Sequence, residues 1–201
     1  MKLIVITTPD FLMNEAELLR VLFENGLYRL HLRKPGASAA ELSFLLDRIP
    51  AQWHPRIVIH DHYELADRYA LAGIHLNRRN IQHQNGRNPY SCSCHSFAEI
   101  TRYSEQVAGY VFLSPLFDSI SKIGYKSGFT ELELHQAFEV GVLHDRVIAL
   151  GGINKNNISS VRSLGFGGVA VLGALWEGVG QDSRLLFDRF LQLQRECNHI
   201  K

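Results

Sequence analysis

Two segments decide how this chain is read: Val147-Ile148-Ala149-Leu150-Gly151-Gly152-Ile153 and Gly167-Gly168-Val169-Ala170-Val171-Leu172-Gly173. Each is a short apolar run that breaks into glycine just before a helix start. The interval between them, Asn154 to Gly165, has the length of one crossover helix. Strand, glycine and helix repeated in this order belong to a parallel α/β sheet. Glycine lets backbone N–H groups come close to an anion, and a helix N-terminus favours negative charge there. In a (β/α)8 barrel the loops after strands 7 and 8 commonly do this for phosphate. Gly151, Gly152, Leu172 and Gly173 are therefore candidate phosphate contacts, with two ordinary turns as the plainer alternative.

Working outward, six earlier runs share the strand pattern: Leu3–Thr7, Tyr28–Leu32, Arg56–Ile59, Gly73–Leu76, Tyr90–Ser93 and Gly109–Leu113. With Arg146–Ala149 and Gly168–Leu172 they make eight. Helices are expected over Glu15–Asn25, capped by Asn14 and closed by Gly26, and after the capping boxes Ser38–Glu41 and Ser96–Glu99. Others are expected over Tyr63–Tyr69, Glu131–Gly141 and Ser183–Arg195, the last with Leu186, Phe187, Phe190, Leu191 and Gln194 on its apolar side. Asn77 to Pro89 has no helical period and reads as a loop in place of the fourth crossover helix. No G-x-G-x-x-G follows the first strand, which argues against an open dinucleotide-binding sheet. The expectation is an α/β chain forming a single (β/α)8 barrel domain over residues 1–201, below the usual size of about 250.

The net charge of +1 offers no electrostatic case for nucleic acid or an anionic membrane. Three cysteines, Cys92, Cys94 and Cys197, suit a reducing compartment rather than a disulfide framework. The first apolar run is too short for a signal peptide, and none approaches the length of a membrane span. A soluble cytoplasmic protein is expected, as a monomer or a homodimer.

Barrel chemistry is carried at the carboxyl ends of the strands. These ends hold His31, Arg33 and Lys34; His60, Asp61 and His62; His75 and Asn77; Ser93 and His95; and Ser114, followed by Ser119, Ser121, Lys122 and Lys126. The rim is polar and mainly basic, which suits an anionic ligand. His95 is the leading proton carrier, because imidazole titrates near neutrality. Strand alternation puts Ser91, Ser93 and His95 on one face and Cys92 and Cys94 on the other, toward the helices. A zinc site at Cys92, Cys94 and His95 lacks further ligands at suitable spacing. Asp61 could anchor Mg2+, orient a base or cap a helix. His60-Asp61-His62 resembles a metal triplet, but neighbours in a strand point to opposite faces, and the first strand carries no His-x-His of the metallohydrolase kind. Arg33 and Lys34 could grip phosphate, Lys122 could close over an anion as part of a lid, and His75 and Tyr90 read as packing residues.

The chain also resembles, over about its whole length, the thiamine phosphate synthase/TenI family. The matching segments are His31-Leu32-Arg33, Ile59-His60-Asp61 with Glu64-Leu65-Ala66, Gly73-Ile74-His75-Leu76, Ser93-Cys94-His95-Ser96, Tyr110-Val111 with Ser114-Pro115-Leu116-Phe117, and the two glycine segments. The resemblance implies a (β/α)8 barrel acting on thiazole phosphate. Synthases of the family join it to a pyrimidine diphosphate with Mg2+ and release pyrophosphate. TenI-type members isomerise a thiazole phosphate carboxylate tautomer through a histidine.

This chain departs from the synthase pattern. The family's Gln-x-Arg-x-Lys at strand 2 is met by His31, Arg33 and Pro35, and the second Mg2+ aspartate by Asn80, beside Arg78 and Arg79. Asp61, Ser119, Ser121 and Lys122 match the first aspartate and the pyrophosphate lid, and His95 matches the TenI-type histidine. The resemblance thus implies His31, Arg33, Ser93, Ser119, Ser121 and the glycine loops as substrate contacts, His95 and Lys122 as catalytic groups, and Asp61 for Mg2+ if the chain is a synthase. The reading favoured from sequence is a thiazole tautomerase without a cofactor. A thiamine phosphate synthase, a non-catalytic thiazole or thiamine phosphate-binding regulator and a phosphate-barrel isomerase outside thiamine metabolism stand as alternatives.

Overall fold

The computed structural model describes residues 1–77, 90–118, 128–180 and 182–199. Eight parallel strands close into a barrel in chain order: β1 Lys2–Ile6, β2 Arg29–Leu32, β3 Ile57–Ile59, β4 Gly73–Leu76, β5 Ser91–Cys94, β6 Tyr110–Leu113, β7 Val147–Leu150 and β8 Gly168–Val171. All eight expected runs are strands. Closure is made by β1 against β8, with Lys2 opposite Gly168 and Val5 opposite Val171. A barrel leaves no strand edge unpaired.

The helices are α1 Glu15–Glu24, α2 Ala39–Leu46, α3 Glu64–Arg68, α4 Phe97–Tyr103, α5 Glu131–Glu139, α6 Ile158–Ser163, α7 Gly173–Trp176 and α8 Ser183–Asn198. Their apolar sides meet the outward side chains of the strands in one continuous layer, which includes Leu19, Leu30, Ile57, Ile74, Val111, Val147, Val169 and Phe190. Burying each large aliphatic side chain contributes about 1.5–3 kcal/mol. Cys92 and Cys94 belong to this layer, as strand alternation predicts. The reading of Asn77–Pro89 as a loop falls mostly on residues 78–89, which lie outside the described residues.

Three local expectations are corrected. Asn14 stands before α1 but in a left-handed conformation, φ 56°, with no side-chain cap. Glu15 instead turns back to accept from the N–H of Leu12, at 3.1 Å. The hydroxyl of Ser96 does cap α4, yet the Glu99 carboxylate accepts from the His95 N–H at 2.5 Å, one residue before the position a capping box requires. On α8 the buried stripe is Leu186, Phe190, Leu193 and Cys197, with spacings of four, three and four residues. Phe187, Leu191 and Gln194 lie to its sides, half-buried. By contrast, the capping box at Ser38 and Glu41 and the left-handed Gly26 after α1 form as the sequence predicts.

The barrel interior is divided. Ile4, Ile6, Tyr110, Phe112, Ile148 and Ala170 form an apolar cluster contributed by β1, β6, β7 and β8. The inward positions of β2, β4 and β5 bear His31, His75, Ser91 and Ser93, joined by His60 just past β3. Tyr90, expected as packing, fills the space over two glycines: a Cβ at Gly109 would lie 2.4 Å from its ring and one at Gly73 2.8 Å from its Cβ. The Arg29 guanidinium lies over the same ring, 4.7 Å from its centroid, and donates to its hydroxyl.

Candidate active site

The polar half of the interior is a hydrogen-bonded cluster of three buried imidazoles. Nδ1 of His31 lies 2.9 Å from Nε2 of His60, and Nε2 of His31 lies 2.6 Å from the Tyr110 hydroxyl. His75 is held between two serines of β5, with Nδ1 2.8 Å from Ser91 Oγ and Nε2 2.9 Å from Ser93 Oγ. The His60 and His75 rings stack with centroids 4.3 Å apart, and His31 stands edge-on to both. Burial, with His75 and Arg29 adding to it, holds His31 well below the ordinary imidazole range. Burial, with the charge of Arg33, pushes His75 down to about 3. Both rings are neutral at pH 7, and burial raises the Tyr110 phenol, which keeps its proton.

His31 was expected at a substrate, but it is fully buried and both its ring nitrogens are engaged inside the barrel. His75, expected only to pack, is the hub linking Ser91 and Ser93. The signal was available in the sequence: β2 and β4 place histidine at inward positions, and His60 follows β3. Reading the strand ends one at a time hid the convergence.

Lys34 is also corrected. Instead of facing an anion, its ammonium donates to both carboxylate oxygens of Glu15, at 2.7 and 2.8 Å, and to the carbonyl of Asp10. It ties the loop after β1 to the loop after β2. Arg33 stays half-buried at the end of β2, where its charge is felt by His75. Asp61 is exposed two residues past β3 and does not cap α3, which begins behind Tyr63 without a side-chain cap. His62, with φ 53°, turns aside to donate from Nε2 to the Ala37 carbonyl.

His95 is exposed just past β5, and its Nδ1 lies 2.7 Å from the Ser114 carbonyl. A carbonyl only accepts, so Nδ1 carries the proton and Nε2 is the basic nitrogen. This contact fixes the orientation of the ring at the end of β5.

The glycine loops have a second cause besides any anion. Gly151 and Gly152 have φ of 98° and 64°, and a Cβ on Gly152 would lie 2.4 Å from the Asp118 carbonyl oxygen. The chain after β6 is zipped onto the end of β7 by Leu116 N–H to Leu150 O and Phe117 N–H to Gly151 O. Glycine is needed there for backbone to pass backbone. Leu172 and Gly173 open α7, which is anchored by the Trp176 indole N–H on the Ile6 carbonyl, at 2.8 Å. Ser119, Ser121, Lys122, Arg78, Arg79 and Asn80 lie outside the described residues.

These features define the class: a (β/α)8 barrel with a polar, histidine-bearing face at the carboxyl ends of its strands. Within it, residues 3–175 match the family model described as thiamine monophosphate synthase, and the chain belongs to that family. It is similar to the thiamine phosphate pyrophosphorylase of Bacteroides thetaiotaomicron, with 39% identity, 100% of both chains covered and a TM-score of 0.88. It is 29% identical over 184 residues to the thiamine-phosphate synthase of Leuconostoc citreum, covering 81% of this chain and 82% of that protein. The thiamine phosphate pyrophosphorylase of Pyrococcus furiosus, at 22% identity, 96% coverage of both chains and a TM-score of 0.69, shares the fold. Among the described residues, no helix is long and apolar enough to cross a membrane.

Proposed function

We propose that this chain is a thiamine phosphate synthase, joining a pyrimidine diphosphate to a phosphorylated thiazole with release of pyrophosphate. The observation that carries this reading is likeness along nearly the whole chain to proteins named for that chemistry. Such a reaction needs cations where the leaving pyrophosphate gathers charge. Arg33 offers a planar fork of donors for it at the end of β2. The amides of Gly152 and Gly173 are the donors for the thiazole phosphate. Mg2+ is commonly held by one or two carboxylates together with substrate phosphates and water. The exposed Asp61 carboxylate fits that role, and Mg2+ bound there supplies charge neutralisation for the pyrophosphate. The buried imidazoles do not suit so hard a cation.

A second reading keeps the thiazole phosphate and changes the reaction to a tautomerisation. The tautomer of His95 favours it, with Nε2 able to take a proton while Nδ1–H rests on Ser114. Lys34, locked on Glu15, does not replace the strand-2 lysine that Pro35 displaces. Pyrophosphate release from the two substrates with Mg2+ separates the readings. Turnover supports the synthase. Its absence in protein that binds thiazole phosphate moves the assignment to the tautomerase, in which His95→Asn removes isomerisation. Binding with neither activity leaves the regulator.

A further inference from the structure

We propose that Tyr110, His31 and His60 form a one-way hydrogen-bond chain that locks His60 as the neutral tautomer with its proton on Nδ1. The chain crosses the barrel interior from β6 through β2 to the end of β3. Its direction follows from the donor count. Tyr110 is 1% exposed, and among the described residues its hydroxyl is hydrogen-bonded to His31 Nε2. If His31 donated from Nε2, the phenolic hydrogen would be buried without an acceptor, a cost of about 1–3 kcal/mol. Tyr110 therefore donates. A neutral His31 that accepts at Nε2 carries its proton on Nδ1, and that nitrogen faces His60 Nε2 at 2.9 Å. His60 Nε2 must then accept, which leaves the His60 proton on Nδ1.

The consequence is chemical. An N–H at His60 Nε2 would face the His31 Nδ1–H, so this nitrogen stays an acceptor. His60 can donate from Nδ1 and cannot serve as a base through Nε2. Tyr110 and His31 are positioning residues acting through it. This deepens the reading of the site given above, but the lock is a property of the ligand-free protein.

The competing use of the cluster is a transition metal, since ligand nitrogens of His31, His60 and His75 all lie within 4.8 Å of one another. Three observations weigh against it. Both nitrogens of His31 and both of His75 have protein partners. The charges felt by His31 and His75 include Arg29 and Arg33, both cations. No carboxylate is a member of the cluster.

The test is the tautomer itself, read from histidine ring-nitrogen chemical shifts in the ligand-free, 15N-labelled protein. Both His31 and His60 are expected to show a protonated Nδ1 and a bare Nε2. In Tyr110→Phe the donor is gone, yet Nε2 of both rings is expected to stay bare, because inversion would bury a His31 Nε2–H against the phenyl ring without an acceptor. His31→Gln can accept from Tyr110 and donate to His60, so His60 should keep its wild-type tautomer. This second variant carries the test if Tyr110→Phe does not fold. A protonated Nε2 on His31 or His60 in the wild type, or on His60 in folded His31→Gln, overturns the proposal. So does stoichiometric zinc uptake by the wild type that His31→Gln abolishes, which would assign the cluster to a metal. None of these readouts needs turnover, so failure of the synthase assay leaves the tautomer result standing.

Discussion

Lys34 and Glu15 show at the scale of single residues how burial changes what a side chain is for. Their side chains are 0% and 2% exposed. Burial raises Glu15 and lowers Lys34, while each partner's charge pulls the other back. Removing one partner strands a buried charge, so Glu15→Gln is expected to cost about 3–5 kcal/mol. Glu15→Leu together with Lys34→Met should cost much less, because no charge is left behind. Urea unfolding of the single and double variants measures the coupling, and additive effects would contradict the buried pair. The sequence shows a lysine beside an arginine at a strand end. It does not show that a glutamate near the start of α1 reaches the lysine first.

At the scale of elements, the strands were legible and the caps only partly so. Four- to five-residue runs rich in apolar residues carry their own period, and all eight formed. Cap chemistry depends on the dihedral angles of the preceding loop, which composition does not encode. Ser38 is extended, with φ −76° and ψ 160°, and its hydroxyl accepts from the Glu41 N–H. Ser38→Ala is therefore expected to lower stability by about 1 kcal/mol. Asn14 lies in the left-handed region without a cap bond, where a side chain is strained by about 1–2 kcal/mol relative to glycine, asparagine somewhat less. Asn14→Gly is thus expected to be neutral or mildly stabilising. Thermal midpoints of the two variants should move in different directions or by clearly different amounts.

Across the whole molecule, a barrel that buries neutral histidines becomes sensitive to acid. An unfolded imidazole titrates near ~6.5, whereas folded His75 sits at about 3 and His31 is shifted the same way. Between those values the unfolded chain binds more protons, so stability is full above the unfolded pKa and falls as the pH drops. From about pH 7.5 to about pH 5.5, His75 should cost roughly 1.4 kcal/mol of unfolding free energy, and His31 acts in the same direction. Urea titrations at the two pH values test this, and equal stability at both would mean that these rings are not buried neutral. The whole-chain consequence of the relay is similar: one proton position in the core depends on groups from β6, β2 and β3.

The order of eight strands and the residues at their ends were determined by the sequence alone, because strand and helix periods are local and glycine marks where the last two strands stop. His95 at the end of β5 and Asp61 after β3 belong to that part. Only the tertiary structure decided which polar residues meet. His31, His60 and His75 are brought together from three strands, and Tyr110 from a fourth on the far side of the barrel. Lys34 turns to Glu15 instead of a ligand, and Gly152 answers to the carbonyl of Asp118. The reason is barrel closure: it sets the inward faces of distant strands a few ångströms apart in a buried interior, where polar groups pair with partners from other parts of the chain.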